Sequence, residues 1–133
     1  MKEKLQKYAK LLIEVGLNIN KGQNLIISSP IECAEFARMC ASAAYDAGCR
    51  EVIMNWKDDL SDRLKYLRAA DDVFDTYPEW RKIMLTEHVK GGGALLSIYA
   101  TDPENMAGVD PNRLSRFESV SGRALEEYRR LQM

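Results

Sequence analysis

Asn24-Leu25-Ile26-Ile27-Ser28-Ser29-Pro30 is the stretch on which the fold turns. Three bulky aliphatic residues in a row, without alternation and with turn residues on both sides, read as a strand buried on both faces. Lys21-Gly22 turns the chain into it. Pro30 ends it and suits the start of a helix. Ala34, Ala37, Met39, Ala41, Ala44 and Tyr45 then recur at helical spacing and predict a helix over about 31–47. Gly48 fits the position just past its end, where a positive φ costs glycine little. Glu51-Val-Ile-Met-Asn-Trp56 is a second strand. Strand–helix–strand crossovers are almost always right-handed, which makes the two strands parallel.

Working outward, Leu5, Tyr8, Ala9, Leu12 and Ile13 predict a first helix over about 2–15, closed by Gly16. A helix over 58–70 follows the second strand, capped by Asp58 or Asp59. Asp71–Tyr77 reads as a short helix. Pro78 falls in the first turn of another, which ends near Val89. Lys90-Gly91-Gly92-Gly93 breaks that helix, and Ala94–Tyr99 is a third strand. Asp102-Pro103 and Asp110-Pro111 each pair a good capping residue with proline at the first helical position, and the second opens a final helix that runs to the chain end. The expected fold is α/β: a parallel sheet of at least three strands flanked by helices, in one domain over 1–133, with no linker or repeat. The last helix is still in progress at Glu126–Met133, so the chain is expected to be a piece of a longer one.

Composition narrows the function classes. Hydrophobic residues are 46% and charged residues 29%, which suits a globular domain rather than a disordered one. The net charge is −1 and no long basic run occurs, so nucleic acid is not an expected partner. The first residues, MKEKLQKYAK, lack the apolar core of a secretory signal, and no stretch approaches the length needed to span a bilayer, so no membrane partner is expected. Cys33, Cys40 and Cys49 show no CxxC spacing and read as reduced, buried thiols, which points to a cytoplasmic setting.

The search for chemistry is short. His88, the only histidine, falls on a late helical turn and reads as a partner for the helix dipole. Asp58-Asp59 and Asp71-Asp72 are adjacent and do not face each other on a helix. Asp71 and Asp75 can share a face, but capping and solvation account for them better than a metal does. Gly91-Gly92-Gly93 precedes a strand, whereas a phosphate-cradling loop follows one, so it reads as a helix stop. Ser28-Ser29 closes the first strand where a helix begins; a helix cap is the simpler reading, and free amides there could instead hold an anion. Trp56-Lys57-Asp58 and Tyr99-Ala100-Thr101 belong to the same sheet edge, with Trp56 suited to a pocket wall, an interface or the core. No nucleophile–base set and no paired-carboxylate site emerges; catalytic and metal-ligating residues are expected to be absent from this chain.

Several stretches carry a resemblance together. They are Tyr8-Ala9-Lys10-Leu11-Leu12-Ile13-Glu14-Val15-Gly16-Leu17-Asn18, Lys21-Gly22-Gln23-Asn24-Leu25-Ile26-Ile27, Ala47-Gly48-Cys49-Arg50-Glu51-Val52, Trp56-Lys57-Asp58, Tyr77-Pro78-Glu79-Trp80, Gly91–Ile98, Asp102-Pro103-Glu104 and Gly108-Val109-Asp110-Pro111. In their order and spacing the chain resembles the N-terminal domain of the thermophilic aminopeptidase family, which includes aminopeptidases T and S and PepS.

The resemblance implies a parent metalloaminopeptidase that removes N-terminal residues from peptide substrates. Two divalent metal ions, zinc or cobalt, would activate water and polarise the scissile carbonyl. Their Glu, His and Asp ligands would lie in a C-terminal domain absent from this chain. The parent would be a homodimer enclosing a cavity, and this domain would shape the wall and entrance while being inactive alone. Ser29, Trp56, Asp58 and Tyr99 are the candidates for cavity wall or interface. The competing reading is a free-standing α/β module for a small anionic ligand at Ser28-Ser29. A scaffolding domain with no ligand overlaps the first reading.

Overall fold

The computed structural model describes residues 1–100 and 102–131. The expected positions Thr101 and Gln132-Met133 lie outside the described residues. The chain divides into two compact units, one of Met1–Lys57 with the third strand, the other of Asp58–Gly91 with the chain from Asp102.

The first unit holds the sheet. β1 (Asn24–Pro30), β2 (Glu51–Lys57) and β3 (Ala94–Ser97) run parallel in the order β2-β1-β3. Leu25 pairs with Val52 and Ala94, and Ile27 with Met54 and Leu96. This register puts those six on one face, and they form the sheet side of the hydrophobic core. Ile26 projects to the other face and is also buried, which is why the central strand shows no polar alternation. α1 (Lys2–Leu11) and α2 (Ala34–Asp46) supply Ala9, Ala37, Cys40 and Ala44 to the same core. Those side chains are small, so the helices can approach closely. Burying Leu25 or Ile27 contributes about 1.5–3 kcal/mol each.

The turns at the amino ends of the strands are fastened by hydrogen bonds. Gly22 N–H donates to the Gly48 carbonyl (2.8 Å), the Cys49 thiol to the Gln23 carbonyl (3.0 Å), and Gln23 Nε2 to the Gly92 carbonyl (2.9 Å). Gly48 is required twice over: its φ is +98°, and a Cβ there would lie 3.2 Å from the Lys21 side chain. The outer edge of β2 is also tied down, because Val52 N–H donates to the Tyr45 hydroxyl (2.9 Å).

The first helix differs from expectation at its end. After Leu11 the chain widens into a π-helical turn over Leu12–Gly16, and the left-handed position falls on Asn18 (φ 51°) rather than on Gly16. Asparagine tolerates that region better than other side chains do. The third strand is shorter than read, ending at Ser97.

The second unit is helical: α3 (Asp59–Arg68), a 3-10 turn (Asp71–Asp75), α4 (Glu79–Lys90), α5 (Pro111–Ala124) and α6 (Glu126–Leu131). The final helix is therefore interrupted, with Leu125 leaving helical geometry at φ −97°, ψ 12°. Asp102-Pro103 opens turns rather than a helix, although Asp102 Oδ1 does accept the Glu104 N–H (2.9 Å). Aromatic rings fill the interior. Phe74 is fully buried and stacks on Tyr66 (5.3 Å), while Phe117 meets Tyr66 and Phe74 edge-on and stacks with Tyr77 (6.2 Å). Cations cover the rings, Arg113 over Phe74 and Lys65 over Phe117 (4.3 Å).

Candidate functional site

The carboxyl edge of the sheet is where α/β proteins of this kind place their ligand-facing residues. Ser29 is the next-to-last residue of β1 and the register partner of Trp56 on β2. The two fare differently. Ser29 is fully buried, and its hydroxyl donates to the Pro30 carbonyl (2.9 Å). Trp56 is 41% exposed. Tyr99 lies two residues past β3 and is 77% exposed. Asp58 caps α3: one carboxylate oxygen accepts the Leu60 N–H (3.2 Å) and the other the Ser61 hydroxyl (2.6 Å). Two of the four candidates are thus committed to holding the backbone, and two are aromatic surfaces open to a neighbour.

Both hydroxyls at Ser28-Ser29 already have partners within the protein. The Ser28 hydroxyl accepts a hydrogen bond from Asn55 Nδ2 (3.1 Å), and Ser29 is turned inward. The following helix opens through a three-residue 3-10 turn, Ile31–Cys33, and Pro30 at its cap position accepts no side-chain bond. Neither serine serves as the helix cap that the sequence had suggested as the simpler alternative.

The acidic pair Asp71/Asp75 is held by an arginine, a partner that sequence inspection missed. Arg116 on α5 donates through Nε and Nη2 to the two oxygens of Asp75 (2.8 and 2.7 Å), and through Nη1 to Asp71 Oδ1 (3.0 Å). Nη2 also reaches the Asp71 carbonyl (2.8 Å) and Nη1 the Asn112 side chain (3.1 Å). The guanidinium hydrogen bonds hold both carboxyls below their ordinary range, and those same bonds push Arg116 upward. The pairing spans more than forty residues of sequence, so no local signal announced it. Its nearest clue was the spacing of Asp71 and Asp75 on one face.

The remaining ionisable groups are those of a folded interior. Burial pushes the Cys40 thiol up to about 11 and raises the Tyr66 and Tyr77 hydroxyls. Cys33, Cys40 and Cys49 are free, with Cys33 only half-buried. Among the described residues, no group of three or more His, Cys, Asp and Glu could hold a metal ion, and no helix is long and apolar enough to cross a membrane.

Fold and site together define an α/β domain whose carboxyl sheet edge carries the exposed aromatic residues Trp56 and Tyr99. The chain belongs to the thermophilic metalloprotease family M29, whose model matches residues 1–133. It is similar to aminopeptidase AmpS of Bacillus subtilis (strain 168), with 36% identity over 127 residues, 96% of this chain and 31% of that protein. It is also similar to aminopeptidase T of Thermus thermophilus, with 32% identity over 92% of this chain and 30% of that protein. The solved structure of wild-type AmpT from Thermus thermophilus superposes with a TM-score of 0.91 at 30% identity, covering 98% of this chain and 33% of that one. The chain spans about a third of the length of these relatives and aligns with their N-terminal part. The family is described as metalloproteases; among the described residues of this chain the spaced carboxylates Asp71 and Asp75 are both bonded by the Arg116 guanidinium.

Proposed function

We propose that this domain shapes the wall and entrance of the active-site cavity in a metal-dependent aminopeptidase that removes N-terminal residues from peptides. On this reading the catalytic ions, zinc or cobalt, are bound by a further domain, and the 133 residues have no activity alone. The observation that carries it is a family match over the whole chain in a fold whose described carboxylates form no metal-binding group. Trp56 and Tyr99 serve as wall or interface surface, while Ser29 is buried at the end of the sheet and Asp58 caps α3. A cytoplasmic setting accords with the three free thiols.

Exposed apolar stripes add support. On α3, Leu60 (69% exposed), Leu64 and Leu67 share one side; on α4, Trp80 (68% exposed), Ile83 and Met84 do. Monomeric domains rarely leave such surface uncovered. A further domain of the parent, or the second subunit of a homodimer, would cover it.

Peptidase assays with a dipeptide substrate test the division of labour. The 133-residue chain with zinc or cobalt should release no amino acid and should bind an apolar dye. The same chain extended to the relatives' length should hydrolyse the substrate and lose the dye signal. Metal-dependent hydrolysis by the short chain would overturn the division. An inactive extended chain with its metals bound would overturn the enzyme reading.

A further inference from the structure

A cavity of about 630 Å³ opens along the outer layer of the first unit, between α1 and α2. Its size falls within the range of small-ligand sites, about 300–1,000 Å³. Met39 and Ala43 provide an apolar floor, and the rim is charged with both signs. Lys10 stands on α1 and Glu14 on the turn that follows it, Arg38 and Asp46 on α2, with Gln6 and Ser42 beside them. Among the described residues, none of these four charges is drawn into an ion pair. The cavity also ends at the π-helical turn Leu12–Gly16, which carries Glu14. Such turns are rare and recur at functional sites, because they re-aim side chains that a regular helix would place elsewhere.

From these features we infer a second binding groove, apart from the sheet edge, for a short zwitterionic peptide. The helices set the spacing of its charges. Lys10 and Glu14 are four residues apart and Arg38 and Asp46 eight, which at the helical rise amounts to about 6 and 12 Å. An extended chain of three residues spans at most about 10 Å, so its terminal ammonium and carboxylate match that range. A free amino acid, with both charges on one residue, meets a single neighbouring pair such as Lys10 and Glu14 and leaves the rest of the groove empty. The carboxylate would be taken by Arg38 or Lys10 and the ammonium by Glu14 or Asp46, with the peptide's side chains over Met39 and Ala43. The groove lies in the first unit and does not depend on the enzymatic reading of the chain.

Amide spectra of the ¹⁵N-labelled 133-residue chain test it with three probes: trialanine, N-acetyl-trialanine amide and free alanine. Millimolar trialanine should shift the amides of Lys10, Glu14, Arg38, Ser42 and Asp46 and leave those of β1 unmoved, while the blocked peptide should shift none and free alanine should leave the Arg38 and Asp46 amides unmoved. Arg38→Gln and Glu14→Gln should each weaken trialanine binding about fivefold, and added salt should weaken it further. Both positions are exposed, and an unchanged β1 spectrum will show that the variants are folded. Absence of shifts with trialanine, equal shifts with the blocked peptide, or undiminished binding by both variants would each overturn the groove.

Discussion

The two units of this chain solve the problem of stability with different chemistry. The sheet unit buries short aliphatic and small side chains: Leu25, Ile27 and Leu96 against Ala9, Ala37, Cys40 and Ala44. The helical unit buries rings and ties them with cations: Phe74 within Tyr66 and Phe117, Arg113 over the cluster, and Arg116 between two aspartates. Aliphatic burial responds to temperature and denaturant but is nearly indifferent to salt and pH. Clamps of charge respond to both. A domain whose two halves differ in this way has one half that conditions can loosen while the other holds.

The largest expected effect is from Phe74→Ala, at about 3–5 kcal/mol, because the site is fully enclosed and the neighbouring rings cannot collapse into the space. If the comparison is sound, hydrogen exchange will show α3 and α5 amides losing protection while β1 amides keep theirs. Loss of β1 protection in step would break it, by showing that the two units unfold as one. Leu25→Ala is the converse test, at about 2–4 kcal/mol, and should free β1 and β2 first. Asp58→Ala comes next. It removes the cap of α3 at a cost of about 1 kcal/mol, read as a shift in the denaturant midpoint, whereas Asp58→Asn should restore most of it because an amide oxygen can still accept the Leu60 N–H.

What the sequence disclosed follows the same division. The sheet unit was legible because a run such as Leu25-Ile26-Ile27 between turn residues has few other homes, and its parallel pairing follows from the crossover rule. Gly16 was read for Asn18 as the left-handed residue because the π turn delays the helix end by two residues, and the third strand was read two residues too long. The helical unit was harder. Its short elements were found, and so was the Asp58 cap, but the bonds that organise it join distant residues: Arg116 to Asp71 and Asp75, Arg113 to the Tyr66 and Ala69 carbonyls, Arg63 to the Asn105 carbonyl. A local pattern of charge gives no hint of a partner forty residues away. The candidate site was legible only as a location. Trp56 and Tyr99 are open to a neighbour, but the commitment of Ser29 to the Pro30 carbonyl depends on a burial that adjacent residues do not encode.

The smallest effect is the most selective. Asp71 and Asp75 titrate below their ordinary value in the folded chain because Arg116 hydrogen-bonds their charged forms. A depressed folded pKa means that the contribution to stability is fully present above the ordinary carboxylate value of 3.8 and is lost as pH falls through the lower folded values. The helical unit should therefore loosen at pH below about 4, visible in the near-ultraviolet signal of its stacked aromatics, before the sheet unit responds. Salt should have the same sense at neutral pH, since the three charged groups are near the surface. Arg116→Gln leaves hydrogen-bonding capacity but removes the charge. It should remove the clamp's contribution at neutral pH, flatten the acid response, and abolish the salt dependence attributable to the clamp. An acid response unchanged in Arg116→Gln would assign it to other carboxylates and leave the aromatic cluster as the sole organiser of that unit. A response lost together with β1 protection would instead mean that the clamp supports both halves, and the contrast between them would reduce to side-chain chemistry without a difference in behaviour.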